Sequence, residues 1–241
     1  GFGVGQVLAR RHERRATECS GVLVGLSKSL GVSLDFLMGG QVEALQSLEW
    51  RKTSNASAQD RAKAEMVVIG KLEDYLAIED ILEIQQPDNP FAEVRIDQVE
   101  DDDALDRKAL QVREKWQLGI DPIPSMTALL EDKGLKVIET DLPERINGMA
   151  CHVERADLPP TEVIVVARQT NVERKRFNLA HELAHRIIAG TENPSIRLEP
   201  AMNRFAGAFL VPAEHLTALA GENQRGVTYH EIMRLKRTYG V

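Results

Sequence analysis

The stretch of sequence that decides the fold is RKRFNLAHELAH, residues 174–185. It places His181, Glu182 and His185 in the spacing H-E-x-x-H. Residues four apart lie on one face of an α-helix, so the two imidazoles can bind one metal ion while Glu182 stands beside it. This spacing also occurs by chance on solvated helices. Here the flanking residues are apolar, and buried His and Glu side chains need partners. The stretch therefore predicts a metal-binding helix.

A catalytic zinc ion usually takes three protein ligands and leaves a fourth position to water, so one more ligand is required. The extended pattern H-E-x-x-H-x-x-G-x-x-H would supply a third histidine. It is excluded because Ile188 and Thr191 stand where its glycine and last histidine would be. The third ligand is therefore expected further along the chain.

A second motif, LEPAMNRFAGAFLVP, follows at residues 198–212. Together the two stretches resemble the ImmA/IrrE family of metallopeptidases, whose signature pairs R-F-[ST]-L-A-H-E-L-G-H with E-x-x-A-N-x-F-A-x-x-L-L-M-P. His181, Glu182 and His185 match the first motif. The matches to the second motif are Glu199, Asn203, Phe205, Ala206, Leu210 and Pro212. The departures from the two motifs are Asn178, Ala184 and Met202.

The resemblance implies a role for each polar residue of the site. Glu199 is the implied third metal ligand and Glu182 the implied general base. Zinc is the implied cofactor, with manganese as the alternative ion. Pro200 directly follows Glu199, which disfavours helical geometry at Glu199 and places it near the N-terminus of its helix. Glu192 is the alternative third ligand.

Periodicity and turn signals predict an α+β protein that is mostly helical, with a small mixed sheet packed against the H-E-x-x-H helix. The predicted strands are residues 135–140, about 147–154, and 163–167. The predicted helices besides the H-E-x-x-H helix are about residues 57–85, 103–118, 126–133, 198–211, 215–220 and 228–239. The β-branched run at 163–167 is expected to form a sheet edge beside the metal cleft, where an extended peptide substrate could add as a further strand.

Two stretches near the N-terminus resemble the back half of a helix-turn-helix domain of the Xre family. They are GVGQVLARRHERR at residues 3–15, which carries four arginines and one glutamate, and LGVSLDFL at residues 30–37. The alignment places residue 1 between the second and third helices of such a domain, and it implies double-stranded DNA as a partner. The residues expected to contact DNA are Gln6, Arg10, Arg11, Arg14 and Arg15. A solvated basic face is the alternative interpretation.

Three domains follow from these assignments. Residues 1–40 are predicted to be the all-α helix-turn-helix remnant, residues 41–103 a helical connector or dimerisation segment, and residues 104–241 the metallopeptidase domain. The long helix at 57–85 carries an apolar stripe on one face. The stripe fits either a homodimer surface or packing against the peptidase domain of the same chain. Because Xre repressors act as dimers on two-fold sites, we expect a homodimer.

Composition restricts the class of protein. The chain has 241 residues, of which 43% are hydrophobic and 28% charged, as in soluble globular proteins. Its longest apolar runs are far shorter than the ~20 residues of a membrane helix. Two distant cysteines, Cys19 and Cys151, provide no disulfide framework, and a net charge of −7 argues against a nucleic-acid-binding surface over the whole molecule. These features predict a cytoplasmic protein without a membrane partner.

Three further histidines have different prospects as site residues. His152 lies on a predicted strand facing the cleft and is a candidate for substrate or oxyanion contact. His215 and His230 lie on helices of mixed polarity, where a surface or core histidine is more typical than a metal ligand.

Two functional hypotheses follow. The first is a DNA-binding transcriptional regulator with a zinc metalloendopeptidase domain, which cleaves a repressor protein in a phage-like, mobile-element or stress response. The second is a transcriptional regulator whose metallopeptidase-like domain senses a ligand or a partner protein without proteolysis. Glu182 favours the first hypothesis because a sensor does not need a general base.

Overall fold

The computed structural model describes residues 25, 28–29, 44–50, 57–84, 89–99, 101–143, 146–155, 158–190, 196–220, 226 and 228–241. The strands are β1 (Ala44–Trp50), β2 (Lys136–Thr140), β3 (Gly148–Arg155) and β4 (Leu158–Ala167). The helices are α1 (Ala58–Ile81), α2 (Asp102–Lys115), α3 (Met126–Asp132), α4 (Val172–Ile187), α5 (Leu198–Leu210), α6 (Ala213–Ala220) and α7 (Tyr229–Tyr239). The predicted α+β class is confirmed. None of the helices in the described ranges is both long enough and apolar enough to cross a membrane.

The four strands form one mixed sheet in the order β1-β3-β4-β2. β3 pairs antiparallel with β1 on one side and with β4 on the other, while β2 pairs parallel with β4. The sequence predicted β2, β3 and β4 but not β1. The segment ALQSLEW contains no β-branched residue and no clean alternation of apolar and polar positions. Pairing with β3 therefore decides its conformation, because strand formation depends strongly on tertiary context.

The interior position of β4 corrects one prediction. The run at residues 163–167 was expected to form a sheet edge, but β4 lies between β3 and β2. Val163 and Val165 pack into the core on the α1 side, whereas Ile164 and Val166 pack into the core on the α4 side. A strand covered on both faces needs apolar residues at every position, which explains the continuous run VIVVA.

Helix α1 covers the face of the sheet opposite α4. Ala64, Val68, Leu72 and Leu76, each four residues from the next, are almost fully buried and share a core cluster with β2, β3 and β4. Of the two interpretations of the apolar stripe, packing against the same chain is therefore confirmed. β1 belongs to the sheet and α1 packs on it, so the segment 41–103 contains a strand as well as a helix. The predicted domain boundaries stay a prediction. A homodimer stays a prediction.

Helix α5 is held against α2 by polar contacts along its length. The Arg204 guanidinium donates to the carboxylates of Asp106 and Asp103, and these hydrogen bonds raise the pKa of Arg204. The buried Arg113 of α2 donates to the backbone carbonyl of Phe209, near the other end of α5, at 2.7 Å. Asp101 caps α2 by accepting from the backbone N–H of Ala104, a position at which aspartate is a favoured residue. These contacts fix the helix that carries Glu199.

The packing of α1 predicts a mutational asymmetry along that helix. Leu72→Ala should lower the free energy of unfolding by about 2–5 kcal/mol, because it opens a cavity against the sheet. Ile81→Ala removes a side chain that is 79% exposed and should change the free energy of unfolding by no more than about 0.5 kcal/mol. Urea denaturation of both variants measures the difference. Equal, small effects would show that α1 does not cover the sheet.

Candidate metal centre

Helix α4 carries polar residues in a buried environment. Asn171 caps its first turn by accepting from the backbone N–H of Arg174 at 2.9 Å, and the apolar positions of the helix face the sheet and α5. His181 and Glu182 are fully buried, and the side chain of His185 is 6% exposed. At the far end of the helix, Arg186 makes a two-pronged ion pair with Glu162 of β4, at 2.7 and 3.0 Å. The helix is therefore fixed against the sheet at the turn that carries the histidines.

The two histidines of α4 converge with Glu199 of α5. The Nε2 atoms of His181 and His185 lie 3.1 Å apart, and Glu199 carboxylate oxygens lie 3.5 and 3.4 Å from them. Glu199 lies in the first turn of α5, as the following Pro200 predicted. The positive end of the helix dipole favours a carboxylate at this position. Within the described parts of the chain, His181, His185 and Glu199 thus form a group that could hold a metal ion.

The geometry of this group fits a metal ion. Ligand atoms at about 2.0–2.1 Å from a tetrahedral zinc stand about 3.3 Å from one another. The two Nε2 atoms have nearly this separation, and each lies at a similar distance from a different oxygen of the Glu199 carboxylate. Two imidazole nitrogens and a carboxylate oxygen also match the donor types that zinc prefers. The sequence-predicted ligands His181, His185 and Glu199 are thus brought together. The alternative ligand, Glu192, lies outside the described residues.

Asn203 orients His181 from the opposite side of its ring. The Asn203 side-chain oxygen lies 2.9 Å from Nδ1 of His181. An Nδ1–H that donates to this oxygen leaves the lone pair of Nε2 directed at Glu199 and His185. Asn203 matched the family motif, but the sequence assigned it no role. Its position four residues after Glu199, on the same face of α5, is the signal that could have identified it.

Glu182 lies between the metal-binding group and β3. A Cβ atom at Gly148 would stand 3.2 Å from Oε1 of Glu182 and 3.1 Å from the backbone oxygen of Val165, so a larger residue would require these neighbours to move by a few tenths of an ångström. Asn178, one turn before Glu182 on α4, donates through Nδ2 to the carbonyl of Asn147 at 3.5 Å. The start of β3 is therefore held against the carboxylate. Gly148 was not identified from the sequence, because its role depends on the distance between α4 and β3.

The other sequence candidates lie outside this group. His152 is on the same face of β3 as Gly148 but four residues along the strand, about 13 Å away, opposite Glu162. A contact between His152 and substrate stays a prediction. His215 stacks edge-on against Tyr239 with ring centroids 5.6 Å apart, and His230 is exposed on α7. Neither belongs to the metal-binding group, as expected.

The expected DNA contacts lie outside the described residues: Gln6, Arg10, Arg11, Arg14 and Arg15. Cys151 of β3 is described, and it faces α1. Burial raises the pKa of its thiol to about 12, which keeps it protonated at neutral pH and makes it a structural residue.

Residues 130–241 match the model of the IrrE N-terminal-like domain, Peptidase_M78. This part of the chain therefore carries a metallopeptidase-like domain, and the resemblance to the ImmA/IrrE family is confirmed there. No curated protein matches the chain significantly. A solved structure described as a Mycobacterium tuberculosis transcriptional regulator is similar at 23% identity with a TM-score of 0.39, over 57% of this chain and 51% of that one. The chain thus spans about half the length of that structure.

The contact between Asn203 and His181 leads to a prediction about metal affinity. Asn203→Ala should weaken zinc binding by about 10- to 100-fold, because His181 loses the acceptor that orients its ring. Asn203→Asp should keep most of the affinity, since a carboxylate oxygen can accept the same N–H. Competition titration with a chromophoric chelator measures both, with Gln111→Ala on the exposed side of α2 as control. An unchanged affinity in Asn203→Ala would remove the orienting role.

Proposed function

We propose that the IrrE N-terminal-like domain of this chain is a zinc-dependent endopeptidase, and that its substrate is a repressor protein. One observation carries the proposal: a buried carboxylate, Glu182, directly follows a ligand of the His181–His185–Glu199 group. A domain that only bound metal or a partner would need the three ligands but not this carboxylate. Manganese is the alternative ion.

A zinc ion bound by the three side chains would act as a Lewis acid toward the scissile carbonyl and lower the pKa of a coordinated water. Glu182 provides the proton transfer. Its carboxylate takes a proton from the attacking water, whose oxygen bonds to the carbonyl carbon. It then donates that proton to the departing amine as the C–N bond breaks. Glu182 is buried and lies against Gly148, which limits the positions that its carboxylate can take. His185 and His181 are held by their common helix, and Asn203 orients the His181 ring.

A regulatory role completes the proposal. The stretches at 3–15 and 30–37 resemble an Xre helix-turn-helix domain, and four arginines in the first stretch supply charge for phosphate contacts. We therefore assign the protein to transcriptional regulation in a phage-like, mobile-element or stress response, acting in the cytoplasm as a homodimer on double-stranded DNA. The alternative is a regulator whose metallopeptidase-like domain senses a ligand or partner without proteolysis.

The Glu182→Gln substitution separates the two functions. Glutamine keeps the shape of the side chain but cannot accept the proton, so cleavage should fall by about 10²- to 10⁴-fold. Elemental analysis should show that Glu182→Gln retains zinc, whereas Glu199→Ala loses it. Cleavage of casein and of a helix-turn-helix repressor is followed by mass spectrometry, with the exposed Glu214→Gln as control. A zinc-loaded wild-type protein that cleaves neither substrate would favour the non-proteolytic regulator.

The DNA-binding assignment has a separate test. Arg10→Ala or Arg11→Ala should weaken DNA binding and reduce the slope of affinity against salt concentration by about one unit per lost phosphate contact. Fluorescence anisotropy of the full chain with labelled duplex DNA, titrated over salt, measures both quantities. Arg234→Ala, an exposed arginine of α7, is the control, and Glu182→Gln should also leave affinity unchanged. Arginine variants with wild-type affinity and slope would leave a metallopeptidase without a DNA-binding segment.

A further inference from the structure

β3 is the strand that borders the general-base candidate. Gly148, its first residue, lies against Glu182, and His152, farther along the same face, lies opposite Glu162, which pairs with Arg186 of α4. An extended polypeptide that added a strand to β3 would therefore run beside Glu182. β4 cannot offer such an edge, because both of its sides are paired within the sheet.

The outer edge of β3 is occupied by the chain itself. β1 pairs with it antiparallel, from Ala44 opposite Glu154 to Trp50 opposite Met149. Because the strands run in opposite directions, the C-terminal end of β1 lies next to the Gly148 end of β3, where Glu182 approaches. The backbone groups that an incoming polypeptide would use are thus already bonded over this length.

Among the described elements, β1 has fewer neighbours than the opposite edge strand, β2. The main contact of β1 is with β3. The strand β2, by comparison, contacts the helices α1 and α3 as well as β4. The ladder between β1 and β3 is also interrupted by a register shift between Gln46 and Glu49. Because of this interruption, fewer regular backbone hydrogen bonds hold β1 on β3, which favours its exchange for another strand.

We propose that the outer edge of β3 is a docking edge for an extended polypeptide, and that β1 is its intramolecular occupant. An incoming segment displaces β1, pairs antiparallel with β3 through its backbone, and so reaches Glu182. Recognition by backbone hydrogen bonds accepts many sequences, so access is controlled mainly by the competition with β1. Docking of a polypeptide at this edge does not require peptidase activity. That the docked polypeptide is a substrate rests on the proposed peptidase function.

A disulfide that locks β1 in place tests the exchange. Ala44 and Glu154 are direct partners, and facing residues of antiparallel strands have Cα separations of about 4.5–5.5 Å, within the range a disulfide spans. The variant Ala44→Cys/Glu154→Cys is compared in its oxidised and reduced forms. Each single cysteine variant is treated with the same oxidant as the matched control.

The opposite change loosens β1. Successive backbone N–H groups of a strand point to opposite edges, so adjacent prolines at Leu45 and Gln46 must remove one donor that faces β3. The variant Leu45→Pro/Gln46→Pro is therefore matched with Leu45→Ala/Gln46→Ala, which keeps both donors.

The probe is a fluorescein-labelled synthetic peptide with the sequence of residues 42–52, VEALQSLEWRK, which has the backbone register of β1. Anisotropy should show about tenfold or tighter binding to the proline variant than to the alanine variant, because less of the edge is self-occupied. Binding to the oxidised disulfide variant should be about tenfold weaker than to its reduced form. Equal binding to the oxidised and reduced forms overturns the proposal, and this comparison decides the outcome if the proline variant does not fold.

Casein cleavage by the same oxidised and reduced protein separates the docking edge from the peptidase. Cleavage that is lost on oxidation and restored on reduction supports both. If peptide binding is weaker in the oxidised than in the reduced form but neither form cleaves casein, the proposed peptidase function is rejected and the docking edge is supported. Cleavage that is equal in both forms shows that substrate does not use this edge.

Discussion

The packing of α4 between the sheet and α5 is the interaction on which the site depends. One side of this helix meets β3 and β4 through apolar residues, and another meets α5, so the polar residues between them are enclosed. Burying an imidazole and a carboxylate is costly unless each finds a partner. At this centre the histidines meet Glu199 and Asn203 from α5, so the enclosure that makes burial expensive also provides the compensating groups.

The two faces of the sheet are covered by two helices, α1 and α4, which have different roles. On one face α1 covers an apolar surface and stabilises the strands, and on the other α4 carries the chemistry. Because successive residues of a strand point to opposite faces, β4 contributes to both layers and tolerates no polar residue in its buried centre. The residues that contact polar groups of α4 lie outside this apolar run: Gly148, the first residue of β3, approaches Glu182, and Glu162 of β4 binds Arg186.

The sheet also connects the upstream part of the chain with the metal centre. β1 comes from the segment between the Xre-like stretches and α1, yet its pairing partner is the strand that approaches Glu182. An event that moved β1 would change a strand edge within reach of the site. This arrangement allows communication between the two ends of the chain through a single exchangeable strand rather than through a rigid helix, since α1 is committed to covering the sheet.

The sequence by itself indicated the helices, three of the strands and the residues of the candidate metal-binding group. Helical periodicity and the H-E-x-x-H spacing depend on residues that are neighbours along the chain, so they can be read without knowing the fold. Glu199 needed the family motif in addition, because no local rule links it to His181 across a loop. Only the tertiary structure decided the roles of Gly148, Asn203 and β1, and the side of the sheet on which α1 packs. Each of these depends on the distance between elements far apart in sequence. The strand β1 shows the reason most clearly: a segment with no intrinsic preference for extended structure becomes a strand because β3 offers it a row of backbone hydrogen-bonding partners.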